Sequence, residues 1–225
     1  MPFELDIVCL ANSWKHRGRC IAGKVYGGEH HGRWVRPVSP TVGQRQITPL
    51  QMQYARGGSA DVFDVMRIQF DAQELGTFQS ENYIISDARW QKVGEIAPTD
   101  IAQWLDTPNQ LWENGSRSTY GQNDKIDNWR LAEPRSSLTL IRPDYANVRV
   151  SEEHNGETKV RVLFRYNQTD YAFTTTDVRI QAAYRERPHG LYPLPNVQAL
   201  TVSLGERLPP EGGHSYKLIA HVFEG

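Results

Sequence analysis

The sequence predicts a mainly β protein built as two small barrels in tandem, joined by a tryptophan-rich segment with short helices. Three observations carry this. Strand-like runs, with apolar and polar residues alternating, dominate both ends of the 225-residue chain. Between them, Trp90, Trp104, Trp112 and Trp129 stand among Asp, Asn and Gln. Each end also contains one run in the same order: three strands, a helix, then two strands. That is the order of an OB-fold, a five-stranded Greek-key barrel that often binds oligonucleotides or oligosaccharides. The expected organisation is an N-terminal OB-like barrel over residues 1–90, a linking segment packed on the barrels over 91–135, and a C-terminal OB-like barrel over 136–225.

In the first barrel, Glu4–Ala11, Arg19–Tyr26 and Arg33–Val38 supply three strands. A short helix is expected near Thr48–Tyr54, where the helical periodicity is weak, and Val62–Phe70 and Tyr83–Ser86 complete the set. In the link, Pro98 followed by Thr99, a good N-cap, predicts a helix over Thr99–Leu105. The four tryptophans of the stretch from roughly 87 to 135 would be poorly solvated in a free linker, so it should pack on a barrel. In the second barrel, Ser137–Ile141 and Val148–Ser151 precede His154-Asn155-Gly156, a hairpin turn because Asn-Gly tolerates positive φ. Lys159–Tyr166 then places Val160, Val162, Phe164 and Tyr166 on one face, with Arg161 and Arg165 on the other. Asn167-Gln168-Thr169-Asp170 reads as a four-residue turn before Tyr171–Thr175. Thr176 caps a helix over Asp177–Arg187, whose charged ends suit the helix dipole, and Pro188 ends it. Ala199–Leu204 and Tyr216–Phe223 are the last two strands.

The totals narrow the function. A net charge of −1 and a pI near 6.7 argue against indiscriminate nucleic-acid binding, which shows as a basic domain of pI above ~9. The mean hydropathy of −0.59 is polar, yet 39% hydrophobic and 10% aromatic residues are enough for packed cores. No apolar run approaches the ~20 residues of a membrane span, and the first residues lack a basic-then-apolar leader pattern. The two cysteines, Cys9 and Cys20, have no metal-site spacing and fit a reducing compartment. A soluble, cytoplasmic protein without membrane contact or cofactor is the expectation.

Against that neutral background, Trp14 to Arg36 is strongly basic: Lys15, Arg17, Arg19, Lys24, Arg33 and Arg36 face one acid, Glu29. Aromatic side chains and glycines are interleaved, which suits phosphates and flat bases, since glycine permits close backbone approach and exposed N–H groups hold anions. Lys15-His16-Arg17-Gly18-Arg19 falls in the loop between the first two strands, which borders the ligand face of an OB-fold. It reads as a phosphate clamp, with arginine forks and a lysine point charge, or as a solvated basic hairpin. Asn12 and Ser13 beside it either bond a base edge or sugar, or bond their own backbone in a turn. Trp34, flanked by Arg33 and Arg36, either stacks a base or faces the core with Arg36 at its rim. Trp14 is a further stacking candidate. Glu81 and Asn82 are expected to brace the basic loop from behind.

Other pieces weigh less. His30-His31 point apart on an extended chain and have no third ligand at useful spacing, so no metal site is expected. Cys9 and Cys20 read as two buried apolar thiols. Asp61 and Asp64, with Glu81 and Asn82, are the best acidic cluster, but a spacing of three on a strand turns the two Asp side chains apart. Asp124-Lys125 carries no assignable mechanism. The EEHNGE and GERLPPEGGH loops of the second barrel are acidic to neutral, which suits scaffold or protein contact better than polyanions, with Arg161 and Arg165 as the exception.

Several pieces resemble the dual OB-fold domain proteins, a mainly prokaryotic group: CLANSWKHRGRCIAG, GRWVRPVS, FQSENYIIS, GQNDKI, SLTLI, YAFTTTD, ALTVSLGE and YKLIAHVFE. They run across nearly the whole chain. The resemblance implies a tandem OB fold and nucleic-acid or nucleotide recognition, in the setting of bacterial defence or nucleic-acid-processing modules, and it transfers no catalytic residue. The leading expectation is a module binding single-stranded nucleic acid or a nucleotide through Lys15, Arg17, Arg19 and Arg36, with Trp34 and Trp14 stacking. An enzyme using His16 as acid/base, or Asp64 and Glu81 to hold a metal, is one alternative. An adaptor docking a protein partner, through the C-terminal barrel, is another.

Overall fold

A computed structural model describes residues 1–15, 18–41, 45–75, 78–131, 135–207 and 213–225. The chain forms two compact units, Met1–Asp100 with Pro134–Ser136, and Ile101–Glu133 with Ser137–Gly225. The linking segment is thus divided between them. No helix among the described residues is long and apolar enough to cross a membrane.

In the first unit, alternating apolar residues make β1 (Phe3–Lys15), β2 (Gly18–Val25), β3 (Trp34–Val38), β4 (Asp64–Gln73), β5 (Asn82–Ile85) and β6 (Gln91–Glu95). β1 pairs antiparallel with β2 and β4, β2 with β3, and β4 with β5. The circuit closes where β3 and β5 run parallel, Arg36 opposite Asn82. Five strands therefore make a closed barrel, and β6 extends β4. Ile7, Cys9, Ile21, Met66, Ile68, Phe70 and Trp90 fill its interior. Gly23 is required by this closure: a Cβ there would lie 2.0 Å from the carbonyl oxygen of Val8.

The expected helix near Thr48–Tyr54 is absent; the segment forms turns. Thr48 and Gln51 cap each other reciprocally, at 2.9 and 3.2 Å, and close one turn. The chain is then drawn into bridges, Gln53 to Ser59 and Tyr54 to Trp90, which stop propagation. Similarly, Thr99–Leu105 is a 3-10 helix, over Pro98–Trp104. Its tighter winding, with Asp100 N–H bonded to Ala97 O at 2.9 Å, is usual in short pieces.

The second unit contains β7 (Lys125–Asp127), β8 (Leu138–Ile141), β9 (Tyr145–Glu152), β10 (Thr158–Tyr166), β11 (Thr169–Thr175), α1 (Val178–Tyr184), β12 (Gly190–Pro193), β13 (Val197–Leu204) and β14 (His214–Glu224). The sheet runs β12-β9-β10-β11-β14-β13-β8, with β11 and β14 parallel. β12 on β9 continues after three residues into β13 on β14, so one stretch of chain serves both sides of the curled sheet. Val148, Val160, Val162, Phe164, Phe173, Leu200 and Ile219 form the core, with Phe164, Tyr171 and Phe173 in mutual ring contact at 5.2–5.4 Å.

Local details sharpen the sequence reading. Gly156 takes φ 76° in the β9–β10 hairpin, as Asn-Gly predicts. The next turn is two residues, not four: Asn167 and Gln168 adopt φ 50° and 64°, and Thr169 already pairs with Tyr166. Two consecutive left-handed residues match the strand twist, so the hairpin tightens. The helix is capped by Asp177, one residue later than expected, because its carboxylate accepts from Arg179 N at 2.8 Å and Ile180 N at 3.4 Å. Its other oxygen accepts from Val222 N at 2.8 Å, tying α1 to β14. Residues of the tryptophan-rich segment brace this unit: Leu111 enters the core, and Pro108 O accepts from the Tyr166 hydroxyl at 2.7 Å. Trp129 is different, 72% exposed with Arg130 against its ring.

Lys217, in β14, is fully buried, donating to Glu113 O at 2.6 Å. Burial pulls its ammonium down to about 7, the charges of Asp124 and Glu113 only partly opposing this. A base whose pKa falls on folding binds more protons unfolded, so stability rises with pH between the folded value and the unfolded ~10.4. Urea unfolding should show the protein gaining up to ~1.4 kcal/mol per pH unit above neutrality from this group. In Lys217→Met that gain should vanish; an identical pH slope in the variant would refute the assignment.

Candidate nucleic-acid interface

The basic stretch folds mostly into β2, β3 and the end of β1, and the strands sort its side chains. Ser13 stands opposite Cys20, Trp14 opposite Arg19, and Lys15 opposite Gly18. Arg19 is fixed by reciprocal backbone bonds with Ile47, both 2.8 Å. Trp14 is 54% exposed, and the Arg19 guanidinium carbon lies 5.6 Å from its ring centre. Arg19 Nη1 is buried without a hydrogen-bond partner among the described residues. Lys15 is half-buried at the strand end. His16 and Arg17 lie outside the described residues.

Asn12 and Ser13 are turned to the barrel. Asn12 Nδ2 donates to Ala60 O at 3.0 Å, leaving its Oδ1 buried and unpartnered among the described residues. The buried Ser13 hydroxyl donates to Cys20 O at 3.4 Å, which is the backbone-bonding alternative. Gly18 and Gly23 sit inside β2, where they admit neighbouring backbone instead of forming an anion nest.

Trp34 and Arg36 are not presented at the surface. Trp34 is 7% exposed, with Lys24 Nζ 5.1 Å from its ring centre. Arg36 is 3% exposed, and its Nη1 meets Glu81 Oε1 at 3.0 Å and Asn82 Oδ1 at 3.1 Å. Asn82 in turn donates to Glu74 at 2.8 Å, and Glu74 pairs with Arg45 at 3.1 Å. Glu81 and Asn82 therefore brace β3 through Arg36, not the basic loop. An arginine whose charge is already neutralised in the barrel wall has little to offer a phosphate in this conformation.

The acidic candidates are likewise occupied. Asp64 accepts from the Tyr54 hydroxyl at 2.6 Å and Asp61 N at 3.0 Å, and meets Lys92 Nζ at 2.5 Å. Burial, then the Asp64 hydrogen bond, pushes the Tyr54 hydroxyl well above the ordinary tyrosine range. Asp61 caps Val62 N at 2.7 Å. Among the described residues, no group of three His, Cys, Asp or Glu is placed to hold a metal. Cys9 and Cys20 are free thiols, and burial raises Cys9 far above the usual thiol range, against nucleophilic use. His31 Nδ1 accepts from Gly27 N at 2.9 Å. In the second barrel, Arg165 is held by Asp170 at 2.8 and 3.0 Å.

The chain thus has two β units in which parallel strand pairs join otherwise antiparallel sheets, with a basic, aromatic strand end on the first. The family model of the dual OB-containing domain matches residues 5–222. The chain belongs to the dual OB-containing domain family. No curated protein and no solved structure matches it. For this dual OB protein, sequence reasoning passed over the Ile47 backbone that pins Arg19, and the Glu74–Arg45 pair behind Asn82. Long-range backbone pairing of this kind leaves no local pattern.

The Arg36 network generates a prediction distinct from a metal or catalytic role. Removing one member of a buried ion pair strands the other, at a cost of about 3–5 kcal/mol. Glu81→Gln should therefore lower unfolding stability by a few kcal/mol, while Arg33→Gln at an exposed position should stay within about 0.5 kcal/mol. Equal, small effects in urea titrations would mean that the Arg36–Glu81 pair does not hold the barrel wall together.

Proposed function

We propose that this dual OB protein binds single-stranded nucleic acid, or a nucleotide presented like one, at the β1–β2 end of its first barrel. The observation that carries the reading is Trp14: an exposed ring at a strand end, with the Arg19 guanidinium against it. An exposed ring is a platform on which a stacked base gains ~1–3 kcal/mol. Arg19 beside the ring supplies the charge for the adjoining phosphate, and Lys15 lies at the same end. The loop position also fits, since the loop after the first OB strand borders the ligand face.

The local charge agrees with the near-neutral total. Binding driven by few phosphate contacts is modest and salt-sensitive, with log K falling by about 0.7 per contact per decade of salt on single strands. In fluorescence anisotropy with labelled single-stranded DNA and RNA at two salt concentrations, Trp14→Ala should weaken binding roughly 5- to 150-fold. Arg19→Ala should reduce the salt slope by about one contact. Binding that ignores both substitutions, or no binding at low salt, would sink the proposal.

A further inference from the structure

The second barrel carries an unsatisfied cationic centre that nucleic-acid binding at the first barrel does not use. The β9–β10 register sets Arg149 directly opposite Arg161, on the side of the sheet away from the core valines. Like charges directly opposite on paired strands are destabilising. An outer sheet face is normally wet, which would dilute that repulsion. In this barrel the segment 118–124 covers it. Gln122 and Ala172 exchange backbone bonds at 3.1 and 3.3 Å, and Lys217 N donates to Asp124 O at 2.8 Å. Arg149 Nη2 donates to Tyr120 O, and Asp124 gathers both Ser118 N and Ser118 Oγ, at 2.7 and 2.5 Å. This gives Asp124 a role its sequence context did not suggest, as the clasp of the covering loop.

The result is a buried arginine at a cleft. Arg161 is 3% exposed; Nη2 donates to Glu153, but Nε and Nη1 have no partner among the described residues. Arg149 Nε is buried and unpartnered among them as well. Burial, with the Arg161 charge adding to it, lowers the Arg149 pKa, the sign of a cation short of counter-charge. Arg161 faces a cleft of about 480 Å³, whose walls include Ser118, Tyr120, His154, Lys159 and Tyr216. Its carboxylates are spoken for: Asp124 by Ser118, and Glu153 by Arg161. A buried donor left without an acceptor costs about 1–3 kcal/mol, more for a charged group, so three such nitrogens on two facing arginines call for an anion.

We propose that this cleft binds a compact oxyanion, a phosphate or carboxylate group carried by a small molecule, at the unpartnered nitrogens of Arg161 beside Arg149. A guanidinium edge matches the paired oxygens of either group. The volume falls within the ~300–1,000 Å³ of small-molecule sites. Tyr120, whose ring centre lies 5.9 Å from the Arg161 guanidinium carbon, and Tyr216 offer walls for the uncharged part of the ligand. Lys159 at the rim adds a further positive charge, shared with Glu157 at 2.9 Å.

Titration calorimetry of the full chain with pyrophosphate, and separately with citrate, at matched ionic strength tests this and separates the two ligand sources. One probe should bind with saturable heat at concentrations up to about 10 mM. Arg161→Lys, which keeps charge but loses the fork, should weaken it roughly tenfold or more. Lys159→Gln, at a partly exposed rim position, should weaken it about two- to fivefold, and it keeps the test decisive if Arg161→Lys does not fold. Trp14→Ala and Arg19→Ala should leave this binding unchanged, which separates it from the proposed nucleic-acid site. Neither probe binding, or binding that Lys159→Gln and any folded Arg161→Lys leave intact, would overturn the proposal.

Discussion

Each barrel depends on one parallel strand pair in an otherwise antiparallel arrangement. In the first, β3 meets β5 at Arg36 and Asn82, and the same residues carry the buried Arg36–Glu81 contact. In the second, β11 meets β14 at Thr174 and Leu218, with the Thr175 hydroxyl and the Asp177 carboxylate adding bonds to β14. Parallel partners cannot be joined by a tight turn, so their registry has to be set by something other than chain connectivity. Polar side chains bond across or beside the pair in both units. A buried ion pair is weak evidence for net stability, but it is demanding about geometry, and a one-residue slip at β3 would strand the Arg36 charge.

This division of labour separates two uses of basic residues that look alike in the sequence. Arg36 is absorbed into the wall of the first barrel, Arg165 into a surface pair, and Lys24 lies against Trp34. Arg19 instead lies against an exposed ring, and Arg161 lines a cleft. Trp14 and Trp34 divide the same way, one uncovered and one sealed.

Much of the architecture was legible in the chain. The two-residue period of Lys159–Tyr166, the Asn-Gly turn and the apolar runs at both ends identify strands and their faces because these depend on neighbours in sequence. The helix at Thr48–Tyr54 failed because a single capped turn is not enough when tertiary bridges compete for Gln53 and Tyr54. β6, β7 and β12 were missed because such short segments carry little alternation. The strand end at Trp14 and Arg19 was visible as a basic, aromatic cluster; for Trp34 the sequence left a base-stacking and a core-facing reading open, and the fold takes the second, with Arg36 buried rather than at a rim. Which face of β3 is sealed depends on Lys24, Glu81 and Asn82, the last two brought there by pairing across more than forty residues. The cleft at Arg161 was hidden for the same reason: its lid comes from residues 118–124, whose anchor is Asp124.

The interleaving of the two units has a consequence for synthesis. Residues 134–136 belong with the first unit, although 101–133 belong with the second. Arg135 donates to Phe78 O at 2.7 Å and accepts from Ser80 N at 3.2 Å, beside the strand that closes the first barrel. On the ribosome, then, the N-terminal barrel cannot complete its contacts when residue 100 emerges. It waits for a piece of chain that arrives only after the whole lead-in to the second barrel has been made. A chain cut between the barrels would lose that return, although each unit has its own hydrophobic core.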